Sequence, residues 1–164
     1  MSWTESTGLV SLGLATFWIA IASSGCEGDA APGPAATAAM IASGKQLYDV
    51  GCAGCHKPTG KGAEGVGLPL AESAWVEGRE SRLVRIALHG VRGPIEVQGR
   101  SYNLEMPGFG PVYDDESLAA ILTYVRQAWG NQAPPVTTET MREIRAVEAS
   151  RGDSWTVEEL LAVP

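Results

Sequence analysis

The sequence predicts an all-α fold class: a small helical domain with one short β-hairpin and a helical C-terminal extension. Two observations favour it. Three stretches repeat their apolar residues at helical spacing, and only one short stretch alternates as a strand does. The 164 residues also include 20 Gly and 10 Pro but only two Phe. A core this small and rich in loops needs support besides apolar burial.

Two helices are predicted before the hairpin. The first covers residues 40–51, where apolar residues share one helix face. The second covers residues 79–89 and ends at Gly90, a residue type common just past a helix end. Residues 95–102 then alternate around a Gln98-Gly99 turn, which predicts the short hairpin.

The clearest helical pattern follows the hairpin. Asp114 is a good N-cap, and Asp115 and Glu116 suit the positive end of a helix dipole. An apolar stripe then continues to Trp129, directly before Gly130. We therefore expect a long helix that closes the domain.

The chain divides into four predicted segments. Residues 1–25 form a signal peptide or membrane anchor, and residues 26–38, rich in Ala, Pro and Gly, form a flexible tether. Residues 39–130 form the folded domain. Residues 131–164 form the extension, in which a Thr-x-x-Glu capping box predicts a helix that wraps the domain.

The N-terminal segment has the features of an export signal. Residues 8–22 contain no charge and are followed by small residues and Cys26. The residues before them include Glu5 and no Lys or Arg, which is unusual for an export signal. The segment resembles a lipoprotein signal, in which the cysteine is acylated. Residues 8–25 would form a helix of about 27 Å, which barely spans a bilayer, so an uncleaved anchor is the second interpretation. Ordinary cleavage with an inert Cys26 is the third.

All three interpretations place the domain outside the cytoplasm, on the periplasmic side. We favour a lipid anchor at Cys26 over a transmembrane helix. The net charge of −7, from 19 acidic and 12 basic residues with no basic block, excludes a nucleic-acid partner.

One motif predicts the chemistry of the chain. Cys52-Ala53-Gly54-Cys55-His56 has the spacing of c-type haem attachment. Two intervening residues let a single turn present both thiols to the two vinyl groups on one edge of a porphyrin. The adjacent histidine then reaches the iron. The motif predicts one covalent haem c held by Cys52 and Cys55, with His56 as an axial ligand.

Two alternatives to haem attachment exist for such cysteines. A thioredoxin-like dithiol needs a βαβ context, and no strand signal precedes the motif. A zinc site needs two further ligands, and His89 is the only other histidine. Haem attachment is therefore favoured.

The second axial ligand is predicted to be Met106. It lies in a loop rich in Pro and Gly between the hairpin and the closing helix. The alternatives are that Met106 fills a gap in the core, or that His89 is the ligand. Two protein ligands leave no open iron site, so the expected reaction is one-electron transfer, at a higher potential than a bis-histidine haem would have. A peroxidase or gas sensor would require Met106 to leave the iron.

Residues 44–130 resemble a class I c-type cytochrome, on the basis of the first helix, the attachment motif, the methionine loop and the closing helix. The resemblance implies a class I cytochrome c fold around one haem. It also implies that Gly44 and Tyr48 pack against Ile121 and Tyr124. A further implication is that the Pro69 carbonyl accepts a hydrogen bond from the histidine of the motif.

The resemblance extends to possible partners. Residues 87–95 and Tyr102-Asn103 look like a bacterial subgroup found beside quinoprotein sugar dehydrogenases and in respiratory complexes. We therefore expect redox protein partners at a membrane. The alternative is a haem-bearing subunit of a larger respiratory, photosynthetic or dehydrogenase complex. Trp75, Tyr102 and Arg92 are candidates for contacts with the haem propionates, although such aromatic residues more often serve packing.

Overall fold

The structure is a computed structural model that describes Met1 and residues 34–163, with only the backbone described for 34–36. The predicted export signal and Cys26 lie outside these residues. The described part contains seven helices and three strands. In chain order they are α1 (Pro34–Gly51), α2 (Ala53–His56), α3 (Ala74–Glu77), α4 (Glu80–His89), β1 (Gly90–Val97), β2 (Arg100–Pro107), α5 (Asp115–Gln127), α6 (Thr138–Val147), β3 (Trp155–Thr156) and α7 (Val157–Ala162).

The prediction of an all-α fold class is wrong, because the domain contains a mixed three-stranded sheet. Strands β1 and β2 form an antiparallel hairpin of eight residues each, and β3 pairs in parallel with β1. The predicted hairpin covered only the part nearest the turn. Pro94 obscured the rest, since proline is rare inside sheets. Pro94 is tolerated because β3 pairs with β1 only at Val91 and Arg92. At Pro94, β1 has a neighbouring strand on one side only.

Most of the helix ends predicted from the sequence lie within two residues of the observed ends. The Asp114 side chain accepts a hydrogen bond from the Ser117 backbone N–H at 2.8 Å, which confirms the predicted N-cap. Helix α1 starts earlier than predicted, at Pro34, so the last residues of the predicted tether are helical. Proline suits the first helical position, and the alanines that follow it favour helix even without apolar periodicity.

Helices α1 and α5 cross at close range and form the main core. A Cβ atom at Gly44 would lie 1.9 Å from the Ala120 carbonyl oxygen, so only glycine fits there. Tyr48 is fully buried, with its ring 5.4 Å from that of Tyr124 and 5.1 Å from that of Trp129. These contacts confirm the predicted packing of the first helix on the last helix of the domain.

The C-terminal extension packs along the domain. Helix α6 contacts α4 and α5, while β3 and α7 contact β1 and α4. Arg85 and Glu148, both largely buried, join α4 to the end of α6 at 2.7 Å. The capping box of α7, between Thr156 and Glu159, is present as predicted. None of the helices described between residues 34 and 163 is long and apolar enough to cross a membrane.

Candidate haem-binding site

A cleft lies between the Cys-x-x-Cys-His motif and the hairpin. A second cavity adjoins it on the side of the helical core and has mostly apolar walls. Cys52, His56, Met106 and Phe109 line both, so the two are parts of one cavity. Its apolar lining, with a few polar groups, is typical of a site for an organic cofactor.

The motif forms a single tight turn after α1. The backbone N–H groups of Cys55 and His56 both donate to the Cys52 carbonyl, at 3.2 and 3.0 Å. Cys52 is half-buried and Cys55 is exposed. Both cysteines line the cleft, which is the arrangement that attachment at two points on one cofactor edge requires.

The surroundings of Cys52 differ from those of a redox-active dithiol. Burial, with a smaller contribution from Cys55, raises the pKa of the Cys52 thiol to about 11. Redox-active dithiols instead have a lowered pKa. Among the described residues, no three His, Cys, Asp or Glu side chains are grouped so as to hold a metal ion.

His56 is held in one orientation and one tautomer. Only 8% of the residue is exposed, and Nδ1 lies 2.8 Å from the Leu68 carbonyl oxygen. Because a carbonyl can only accept, Nδ1 carries the proton and Nε2 keeps its lone pair. Burial lowers the pKa of His56 below its usual 6.5, and the bond to Leu68 opposes this only in part. The ring is therefore a neutral imidazole with one nitrogen able to bind a metal.

The carbonyl that accepts from His56 belongs to Leu68, so the assignment to Pro69 is wrong by one residue. Proline restricts the residue before it to an extended backbone, and this fixes the direction of the Leu68 carbonyl. The preceding loop is tightly folded. A Cβ atom at Gly67 would lie 2.6 Å from the Cys55 carbonyl oxygen, so the loop packs directly on the motif.

Met106 lies on a strand and not in the predicted loop. It pairs with Val91 in the β1–β2 ladder, and alternation places it on the same face of β2 as Leu104 and Tyr102. The strand therefore sets the position of Met106 at the cavity. His89 lines neither part of the cavity, but a separate cleft together with Arg145.

Of the three candidates for propionate contacts, Trp75 and Arg92 form hydrogen bonds with other groups, and Tyr102 is not part of the cavity lining. The Trp75 indole N–H donates to the Glu96 carbonyl at 2.9 Å, and Arg92 Nε donates to the Ser154 carbonyl at 3.3 Å. Tyr102 shares the face of Met106 but does not line the cavity.

Sequence reasoning missed two residues of the site, Leu68 and Phe109. Leu68 supplies the carbonyl that orients His56, and Phe109 lines both parts of the cavity. The signal for Leu68 was available, because it directly precedes a proline. Nothing in the sequence pattern distinguished Phe109 from an ordinary core residue.

Comparisons with known proteins agree with this geometry. The model of a family described as cytochrome c oxidase, cbb3-type, subunit III matches residues 39–125. Cytochrome c-552 of Thermus thermophilus is 37% identical over 114 residues, which cover 64% of this chain and 86% of that protein.

Two larger proteins also match. The gluconate 2-dehydrogenase cytochrome c subunit of Pantoea cypripedii is 30% identical over 120 residues, covering 68% of this chain and 26% of that subunit. The cbb3-type cytochrome c oxidase subunit CcoP of Azospirillum sp. is 32% identical over 107 residues, covering 61% and 32%.

The matched region contains the attachment motif, the hairpin and most of α5. The chain is therefore a class I c-type cytochrome, an electron-transfer protein with covalent haem c, and it belongs to the family described as cytochrome c oxidase, cbb3-type, subunit III.

Proposed function

We propose that Cys52 and Cys55 bind the haem through thioethers and that His56 and Met106 are the axial ligands of its iron. One observation supports this assignment most directly. These four side chains come from two distant parts of the chain, the turn after α1 and strand β2, and all four line the same cleft. When bound, the haem supplies reversible one-electron transfer between ferric and ferrous iron.

The residues around the cavity favour this role. The Leu68 carbonyl keeps the proton on Nδ1 of His56, so Nε2 is ready to bind, and such an outer hydrogen bond also raises ligand basicity. The apolar walls exclude water from the iron. A thioether from Met106 favours the ferrous state, so the potential lies above that of a bis-histidine haem in a similar setting.

The experiment that tests the ligation is the Met106→Ala substitution in protein matured with haem. The weak charge-transfer band at the red end of the ferric spectrum reports a thioether on the iron, and it is expected to disappear while the potential falls. Met40→Ala is the matched control, because Met40 lies on α1 and lines neither part of the cavity. A band that persists in Met106→Ala would contradict the assignment, because another methionine would then be the ligand. A wild-type protein without the band would favour His89 or an open site.

We further propose that the protein works on the periplasmic side of a membrane, to which Cys26 attaches it through a lipid. Residues 1–25 would be the signal, and the stretch between Cys26 and α1 the tether. Residues 39–130 would be the haem domain and 131–164 the extension. The uncharged stretch and the small residues directly before Cys26 support this proposal. A membrane anchor raises the effective concentration near membrane-bound partners.

Mass spectrometry of the native chain distinguishes the three forms of the N-terminus. An acylated Cys26 at the N-terminus supports the lipid anchor. An intact Met1 would indicate a retained helix, and an unmodified N-terminus near Glu27 would indicate a protein without an anchor. Cys26→Ser should change the location of the protein and leave its spectrum unchanged.

A second candidate is a haem-bearing subunit of a larger oxidoreductase. The matching relatives favour it, since their names include subunits of an oxidase and of a dehydrogenase. The chemistry of the site is the same in both cases, and only the partners differ. Purification of the native protein from solubilised membranes, with identification of what co-purifies, separates a single carrier from a complex subunit.

A further inference from the structure

The segment that follows Met106 is fixed on one side by the end of α4. The backbone N–H of Phe109 donates to the Ala87 carbonyl at 2.8 Å, and that of Gly110 donates to the Leu88 carbonyl at 3.0 Å. A Cβ atom at Gly108 would lie 2.5 Å from the Leu88 carbonyl oxygen, so the two backbones are in direct contact. Because so few residues separate Met106 from Gly110, the position of Gly110 limits where Met106 can lie.

Arg145 of the C-terminal extension holds the other side of this segment. Its Nη1 donates to the Gly110 carbonyl at 2.7 Å and its Nη2 to the Tyr113 carbonyl at 3.0 Å. Its Nε pairs with Asp115 at 2.6 Å, at the start of α5. The planar guanidinium makes all three contacts from one rigid fork, which an ammonium group cannot do. Arg145 therefore fastens residues 110–115 to α6.

The extension also supports β1, the strand that pairs with the strand of Met106. Val91 of β1 pairs with Met106 on one side and with Trp155 of β3 on the other. Met106 packs against a small apolar cluster that includes Val91, Trp155 and Leu160. The extension thus supports the partner strand of Met106 and holds the segment after Met106.

We propose that Arg145 is a positioning residue for Met106: it fixes the segment after β2 and so keeps the thioether in place and the sixth iron position closed to external ligands. This rests on the proposed ligation by Met106. A thioether is a neutral ligand that must be held near the metal to stay bound. When the segment loosens, the fraction of time that Met106 spends away from the iron should rise.

The test is cyanide binding to the ferric protein, matured with haem, under conditions where every variant is folded. Cyanide can bind only after Met106 leaves, so its binding rate reports that step. Arg145→Ala removes hydrogen bonds from a charged donor, and we expect the rate to rise about tenfold. Arg145→Lys keeps the charge but loses the fork, so we expect a smaller rise. Arg142→Ala is the matched control, because Arg142 is exposed on the same helix and pairs with Glu139.

A second control separates positioning from general stability. Glu148→Gln weakens the ion pair with Arg85 and loosens α6 from α4, without removing a contact to residues 110–115. We expect it to lower the stability and to leave the cyanide rate within about twofold of the wild type. Equal rates in Glu148→Gln and in Arg145→Ala would overturn the proposal, as would Arg145 variants that match Arg142→Ala. If Arg145→Ala does not fold, Arg145→Lys decides.

The outcome also distinguishes this inference from the ligation on which it rests. A wild-type ferric spectrum without the thioether band, with cyanide binding unaffected by Met106→Ala, would refute the ligation itself. A wild type with the band, combined with Arg145 variants that bind cyanide no faster, would refute only the positioning role.

Discussion

The substitution Gly44→Ala tests the contact between α1 and α5 on which the domain depends. The new Cβ atom would lie 1.9 Å from the Ala120 carbonyl oxygen and 3.0 Å from Tyr124 Cβ. Ordinary contact begins at 3.4 Å, so the two helices would have to separate by about 1.5 Å. A gap of about 1 Å already removes up to half of the dispersion attraction between facing atoms.

The expected cost follows from two opposing effects. Overpacking a core costs up to about 3 kcal/mol, and the upper end applies here because the obstacle is backbone and cannot rotate away. The higher helix propensity of alanine offsets about 1 kcal/mol of this cost. We therefore expect Gly44→Ala to lower the free energy of unfolding by about 2 kcal/mol.

Urea unfolding of the haem-matured protein, followed by far-UV circular dichroism, measures this change. The midpoint should fall by roughly 1 M if the slope is about 2 kcal/mol per M. Gly152→Ala is the control, because a Cβ atom there would meet nothing within 4 Å and Gly152 lies far from the attachment motif in the sequence. If Gly44→Ala proved as stable as Gly152→Ala, the close approach of the two helices would be refuted.

Two further predictions concern the hydrogen bonds of Glu159 and Tyr48. The backbone N–H of Thr156, followed by Arg151, lowers the pKa of Glu159 from 4.5 to about 2. Because the folded pKa is the lower one, the stabilisation is complete above pH 4.5 and is lost as the pH falls towards 2. Thermal unfolding of the wild type and Glu159→Gln at a series of pH values should therefore show a difference that shrinks over that range, and a difference independent of pH would contradict it. In the core, the Tyr48 hydroxyl donates to the Lys57 carbonyl at 2.7 Å. Tyr48→Phe keeps the ring packing but removes this bond, so urea unfolding should show a loss of about 1 kcal/mol; an unchanged midpoint would show that water replaces the hydroxyl.

The local features of this chain could be predicted from the sequence. The turn that presents Cys52 and Cys55 depends on residues within one turn of each other, and so does the Asp114 cap of α5. Most of α1, and helices α4 and α5, were predicted because an apolar face repeats along each of them. Haem attachment likewise followed from the spacing within the motif, and the comparisons confirm covalent haem c.

Features that depend on partners far away in the chain could not be predicted in this way. Strand β3 is only two residues long, and it exists because β1 offers it an edge some 60 residues earlier. The same dependence on distant backbone explains why Met106 lies on a strand: its place is set by pairing with Val91, not by the Pro and Gly residues around it.

The sequence by itself determined the cofactor chemistry, helices α4 and α5, most of α1, and the caps of α5 and α7, because each depends on residue types at short spacing. Only the tertiary structure decided the sheet, the Leu68 carbonyl that orients His56, and the contacts of Arg145 with the segment after Met106. These depend on which backbone groups approach a side chain across long loops. When the backbone shifts by one residue, a different carbonyl comes within hydrogen-bond distance of the same side chain. Residue spacing along the chain does not define positions in space to that accuracy.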